Sequence, residues 1–181
     1  MASVAATVAS QTRYLITGCS RGIGLGLVEH LLSTPDNMVV ATCRSPDEST
    51  GLRRLQQSYA TNRLLVLPLD TTSLEGHQTL IQTLSTEHGI DSVDVFIANA
   101  GISSPNHPVD PVLTCPSEVM MNVFRTNCVG TMFGLQCFTP LLLRSPSRIV
   151  VLLSSRLASI EQVISSSSSL SCTLECADTG K

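Results

Sequence analysis

At 181 residues the chain has the length of about one domain, and 43% apolar against 14% charged residues excludes a disordered chain. A net charge of −3 without a basic stripe argues against a nucleic-acid partner, and no apolar run reaches the roughly 18 residues of a membrane-spanning helix. The seven cysteines, odd in number and without a Cys-x-x-Cys pair, read as reduced thiols in a reducing, cytoplasmic compartment.

Residues 1–12 are small and weakly polar, with no compact apolar stretch, and read as a flexible leader rather than a secretory signal. Tyr14 to Thr17 predicts a first strand. Ile23, Leu27, Val28, Leu31 and Leu32 then recur at helical spacing until Pro35-Asp36-Asn37 breaks the helix. Met38 to Thr42 predicts a second strand, and Leu52, Leu55 and Tyr59 a second helix. Leu64 to Leu69 predicts a third strand, ending at Asp70. Leu74, Leu80, Ile81 and Leu84 mark a third helix, with Thr72 or Ser73 as its cap. Val93 to Ala98 predicts a fourth strand, followed by a Pro-rich loop from Gly101 to Pro116. Ser117 is expected to cap a long apolar helix to about Phe138, which Pro140 ends or bends. Arg148 to Leu153 predicts a fifth strand.

Strands that are apolar almost throughout, alternating with helices, point to a parallel sheet covered on both faces: a doubly wound, Rossmann-like α/β domain over residues 13–160. Beyond Arg156 the alternation stops. Residues 161–181 include five consecutive serines, Ser165 to Ser169, and read as an irregular tail. Cys172 and Cys176 have helical spacing but no nearby His, so no metal site is expected.

The turn Thr17-Gly18-Cys19-Ser20-Arg21-Gly22-Ile23-Gly24 lies between the first strand and the first helix, the context in which a Gly-rich turn binds a dinucleotide. Gly18 permits the tight turn, Gly22 lets a pyrophosphate approach the backbone, and Gly24 lets helix and sheet pack closely. The helix start offers unpaired N–H groups and the positive end of its dipole to phosphate. The second strand ends without the acid that would bind an adenosine ribose, and Arg44 stands in its place. Arg44 and Arg21 together favour NADP(H) over NAD(H), because a guanidinium matches a phosphate in geometry and charge.

The Gly18-x-x-x-Gly22-x-Gly24 spacing resembles that of the short-chain dehydrogenase/reductase family. Asn99-Ala100-Gly101 after the fourth strand, Arg125-Thr126-Asn127-Cys128-Val129-Gly130, and the fifth strand ending Ser154-Ser155 are similar to three further motifs of that family. Ser154-Ser155-Arg156-Leu157-Ala158-Ser159-Ile160 most resembles sniffer-type carbonyl reductases and fungal ketoreductases. The resemblance covers roughly Arg13 to Ile160. It implies that Gly18, Ser20, Arg21, Gly22, Ile23 and Gly24 hold the pyrophosphate and adenosine side of the cofactor. It further implies that Asp70 contacts the adenine, and that Asn99, Ala100 and Gly101 line the adenosine ribose. Asn127 would hold a water in a proton relay, and Ser155, with Ser154 as the alternative, would polarise a substrate carbonyl. Read from the residues alone, Asp70 also fits an Asx-type turn opening the third helix, and Asn127 a buried amide that must be hydrogen-bonded.

The family's acid–base Tyr, followed four residues later by Lys, has no counterpart here. The residues four after Tyr14 and Tyr59 are Gly18 and Arg63, and the only Lys is Lys181. The window after Ser155 is serine-rich instead. The change of character after about Gln162 resembles a frameshift, an alternative splice or a wrong gene model, leaving the domain C-terminally altered. Two functional readings stand. One is an NADP(H)-dependent oxidoreductase that reduces a small-molecule carbonyl or oxidises an alcohol. The other is a catalytically dead dinucleotide-binding fragment, regulatory or non-functional. On either reading the fifth strand becomes an apolar edge, through which the chain is expected to oligomerise or aggregate.

Overall fold

The computed structural model describes residues 11–104, 114–155, 158, 159 and 161. Five strands form one parallel sheet: β1 (Thr12–Thr17), β2 (Asn37–Cys43), β3 (Leu64–Pro68), β4 (Val95–Ala98) and β5 (Ile149–Leu152). Their order is β3-β2-β1-β4-β5. The chain therefore winds outward from β1 to β3 and then crosses back to β4 on the other side of β1. The sequence change of direction opens a crevice between the C-terminal ends of β1 and β4.

β1 to β4 are largely buried on both faces because their side chains alternate between two cores, whereas β5 is exposed. Leu15, Val40, Phe96 and Ala98 join Leu80 and Leu84 of α3 (Leu74–Thr86) and Phe138, Leu141 and Leu142 of α5 (Gly130–Leu143). Ile16, Val39, Ala41, Val95 and Ile97 join Val28 and Leu32 of α1 (Gly22–Leu32) and Leu52 and Leu55 of α2 (Thr50–Ser58). Gly134 brings α5 close to the sheet: a Cβ there would stand 2.8 Å from the Phe96 ring.

All five expected strands and the doubly wound arrangement are present, with ends moved by a residue or two. Thr12, expected in the leader, is the first residue of β1 and pairs with Asn37. Ser73, rather than Thr72, caps α3, its Oγ accepting from the Gly76 N–H at 2.9 Å. Ser117 is not a cap: Pro116 occupies that position, and Ser117 is the first residue of α4 (Ser117–Phe124). The long helix is two α-helices joined by a π-helical turn, Arg125–Val129, and Pro140 lies inside α5, which runs on to Leu143. Pro140 and Gln136 are both exposed, so the carbonyl that the proline leaves without an intrahelical partner faces water and the helix continues. The leader up to residue 10, the Pro-rich loop at 105–113 and the serine run lie outside the described residues.

Candidate functional site

The crevice is built by a small set of hydrogen bonds around the end of β1. Thr17 Oγ1 accepts from the backbone N–H groups of Asn99 and Ala100, each at 3.1 Å. Asn99 Nδ2 donates to the carbonyls of Thr17 at 2.8 Å and Gly18 at 3.0 Å. One side chain thus ties the end of β4 to the glycine turn that follows β1. On the other flank the Cys19 N–H donates to the Thr42 carbonyl at 2.9 Å, and Thr42 Oγ1 donates to the Ile16 carbonyl at 3.0 Å. Cys19 itself is buried, and burial pushes its thiol up to about 12, so it is a neutral, unreactive group inside the turn.

The three glycines have distinct reasons. Gly18 has φ +74°, and a Cβ would meet the Ala100 backbone at 2.8 Å. At Gly24 a Cβ would stand 2.3 Å from the Gly18 carbonyl oxygen and 2.5 Å from Asn99 Nδ2. Gly22 has φ +58° with open space around it, which leaves its backbone approachable from the crevice. Arg21 caps α1 in an extended conformation without a side-chain hydrogen bond to the helix, so it gives the first N–H groups of α1 no partner. Ser20, Arg21 and Ile23 are exposed beside them. This cradle fits a diphosphate: uncapped donors, room at Gly22, and a turn whose shape is locked from beneath by Asn99.

An open pocket of about 520 Å³ lies at the ends of β2 and β3, lined by Arg44, Ser45, Pro46, Asp47, Glu48, Val66 and Pro68. Arg44 is exposed on its rim. Asp70, also exposed, follows β3. Its Oδ1 accepts from the Thr72 N–H at 2.9 Å and from Thr72 Oγ1 at 2.8 Å, an Asx-type turn that opens α3. The Thr72 amide lowers the Asp70 pKa most, and the Arg44 and Arg125 guanidinium groups lower it further.

At the opposite end, Asn127 sits in the π-helical turn and both ends of its amide bond the backbone. Oδ1 accepts from the Ile102 N–H at 2.8 Å, and Nδ2 donates to the Ile102 carbonyl at 2.9 Å. The side chain therefore braces the backbone just beyond Gly101. Ser155 follows β5, half-buried, and its carbonyl accepts from the Ala158 N–H at 3.0 Å. Gly18, Arg44, Asp70, Asn99 and Ser155 thus all stand at or just beyond the C-terminal ends of the five strands.

Sequence reasoning named Thr17, Arg125 and Gly130 within motifs without giving them a role, and missed Ser49. Ser49 caps α2 by accepting from the Leu52 N–H and donates to the Ser20 carbonyl at 3.1 Å, tying the pocket loop to the cradle. A Cβ at Gly130 would meet the Thr71 carbonyl oxygen at 2.8 Å, so this glycine lets the π-helical turn settle against the loop after β3. A buried threonine ending a strand and a glycine inside a helix were the available signals.

A parallel, doubly wound sheet with a glycine turn at its switch point defines a Rossmann-type α/β protein. A family model for short chain dehydrogenases matches residues 12–168, and the chain belongs to that family. It is 41% identical to the short chain dehydrogenase gsfK of Penicillium aethiopicum over 133 residues, 74% of this chain and 51% of that one. The NADPH-bound carbonyl reductase from chicken fatty liver superposes with a TM-score of 0.73 at 28% identity, covering 84% of this chain and 63% of that one. The carbonyl reductase Sniffer of D. melanogaster gives 0.71 at 26%, covering 83% and 64%. The chain spans about half the length of the first of these relatives.

Proposed function

We propose that the chain is the cofactor-binding part of an NADP(H)-dependent oxidoreductase acting on a small-molecule carbonyl or alcohol. The observation that carries this reading is the cradle: three glycines, each with its own geometric requirement, locked by Asn99 at the switch point of the sheet. Bound there, the cofactor supplies a hydride to the carbonyl carbon or accepts one from the alcohol.

Gly22, Ile23 and Gly24 offer backbone N–H groups to the diphosphate, with Ser20 and Arg21 beside them. Asn99, Ala100 and Gly101 line the adenosine ribose side, and Asp70 stands by the adenine. Arg44 reads the 2′-phosphate. Asp47 and Glu48 line the same pocket and oppose an anion, so selectivity rests on the Arg44 guanidinium. Ser155 orients and polarises the carbonyl oxygen. Asn127 holds the Gly101–Ile102 backbone through its side chain, and the proposed relay water would sit against this brace.

Titration calorimetry with NADPH and NADH tests the cofactor assignment. NADPH should bind more tightly, and Arg44→Asp should reduce that preference by tenfold or more, since a hydrogen bond to a charged group contributes about 1.5–3 kcal/mol. Equal affinities in the unaltered chain would refute it.

A second reading is favoured by one sequence fact. No Tyr stands four residues before a Lys anywhere in the 181 residues. Addition of hydride leaves an alkoxide that must be protonated, and a serine hydroxyl is a much weaker acid than a phenol beside an ammonium. This chain by itself therefore binds a dinucleotide and does not turn it over.

A further inference from the structure

Given the NADP(H) assignment, on which this rests, we infer that Ser49 is a positioning residue for cofactor selectivity: its hydroxyl holds the loop that carries Arg44 in place against the glycine turn. Residues 44–48 leave β2 and lead into α2, and Arg44, Ser45, Asp47 and Glu48 are exposed. Consecutive residues of the glycine turn hold the two ends of this loop. At its start the Cys19 N–H donates to the Thr42 carbonyl at 2.9 Å. At its end Ser49 Oγ donates to the Ser20 carbonyl at 3.1 Å. Between these ties the loop closes on itself: the Glu48 N–H donates to the Ser45 carbonyl at 3.2 Å and the Ser49 N–H to the Pro46 carbonyl at 3.1 Å.

Ser49 differs from its neighbours. It is 6% exposed beside an exposed loop, and its hydroxyl is used twice. It accepts from the Leu52 N–H at 3.4 Å as the cap of α2 and donates to Ser20. A cap needs only an acceptor, so the donor is an addition directed at the turn. The Ser20 carbonyl belongs to the peptide that leads into Arg21. That peptide is planar, so holding its carbonyl also fixes the Arg21 N–H. The start of α2 is pressed onto α1 as well: a Cβ at Gly51 would stand 2.4 Å from Leu25 Cδ2, and Arg54 pairs with Glu29.

The consequence falls on a ligand with two anionic groups. With its 5′-diphosphate in the cradle, an adenosine meets Arg44 through a 2′-phosphate only when the loop stands at the matching separation. A loop already held there needs no ordering as the phosphate arrives. A ligand without the 2′-phosphate gains nothing from that placement. Ser49 therefore acts on the difference between NADPH and NADH more than on binding in general.

Titration calorimetry of the full chain with both cofactors is the test. Ser49→Ala should lower the ratio of NADPH to NADH affinity by roughly two- to tenfold, the worth of one neutral hydrogen bond. Ser49→Gly keeps a good helix cap without a hydroxyl and should lower the ratio alike, which separates the tie from the cap. Ser49→Thr keeps a hydroxyl for both bonds and should preserve the ratio. In an Arg44→Ala background, Ser49→Ala should leave the ratio where it is, because no guanidinium remains to be placed. The role of Ser49 is overturned by an equal fall for both cofactors, by a ratio that Ser49→Ala and Ser49→Gly leave unchanged, by a Ser49→Thr ratio as low as that of Ser49→Ala, or by a further fall in the Arg44→Ala background. In each of these cases the unaltered chain still prefers NADPH. An unaltered chain without that preference overturns the cofactor assignment together with the role of Ser49.

Discussion

Asn99 does the work of several residues at the centre of the site. Its amide satisfies two carbonyls at the end of β1, and its side chain is the floor under Gly24. Asn99→Ala should leave the Thr17 and Gly18 carbonyls unpartnered and lower stability by about 1–3 kcal/mol in urea titration. Its NADPH affinity should fall by a larger factor than that of Arg21→Ala, which removes a charge but leaves the turn in place. The motif around Asn99 was legible in the sequence because its residue types and its position after a strand were distinctive. Its partner Thr17 was not, because a threonine at a strand end has no signature until the facing strand is known.

At the scale of elements, α1 and α3 each carry a prediction. Gly24 and Gly26 are one half-turn apart in α1, yet their surroundings oppose each other. A Cβ at Gly24 collides with backbone, whereas one at Gly26 meets nothing within 4 Å. Gly24→Ala should cost about 1–3 kcal/mol through overpacking. Gly26→Ala should stabilise by roughly 0.5–1 kcal/mol through helix propensity. Paired thermal melts of the two variants separate the effects.

In α3, His77 is fully buried against Phe133 and Phe138 of α5. Its Nδ1 lies 2.8 Å from the Ser73 carbonyl, which can only accept, so Nδ1 carries the proton and Nε2 is a buried nitrogen with no hydrogen-bond partner. Burial lowers its pKa, while the Ser73 carbonyl and the Asp70 carboxylate oppose that shift. The unfolded chain therefore takes up a proton before the folded one does. Stability is full above about pH 6.5 and declines as pH falls below it. Urea titrations at pH 7.5 and 5.5 should show a larger loss for the unaltered chain than for His77→Leu. An equal loss would remove His77 as the cause.

The elements themselves were readable because each strand contains a short apolar run and the first three helices have a 3.6-residue stripe. The division of the long helix by a π-helical turn was not. A π turn inserts one residue without changing composition, and only the docking of Asn127 on Ile102 reveals why it is there.

For the whole molecule, the cradle and the proposed lack of turnover make opposite demands; no Tyr stands four residues before a Lys in these 181 residues. Binding needs the crevice between β1 and β4, which is complete among the described residues. Turnover needs a proton donor, and general acid–base catalysis is worth roughly 10²–10⁴-fold. NADPH consumption at 340 nm against a panel of ketones, diketones and quinones should stay at background. Robust turnover that Ser155→Ala abolishes would show that another group supplies the proton. The overall fold was legible at this scale, since alternation of strand and helix admits few topologies.

The position of β1 also dictates when the chain can fold. β1 lies at the middle of the sheet, yet the strand on one side of it, β4, is distant in sequence: the Asn99 lock on Thr17 joins residues 82 apart. Among the described residues no two strands form a hairpin, so each rung of the ladder waits for a crossover to close. At a synthesis rate of about 5–20 residues per second, β1 emerges from the ribosome roughly 4–16 s before its second neighbour. Once β3 has emerged, β1, β2 and β3 can pair only as a half-sheet with the β1 edge bare. The nascent chain is most vulnerable to chaperone capture, or to misassembly with a neighbouring polysome product, before Val95–Ala98 has been made.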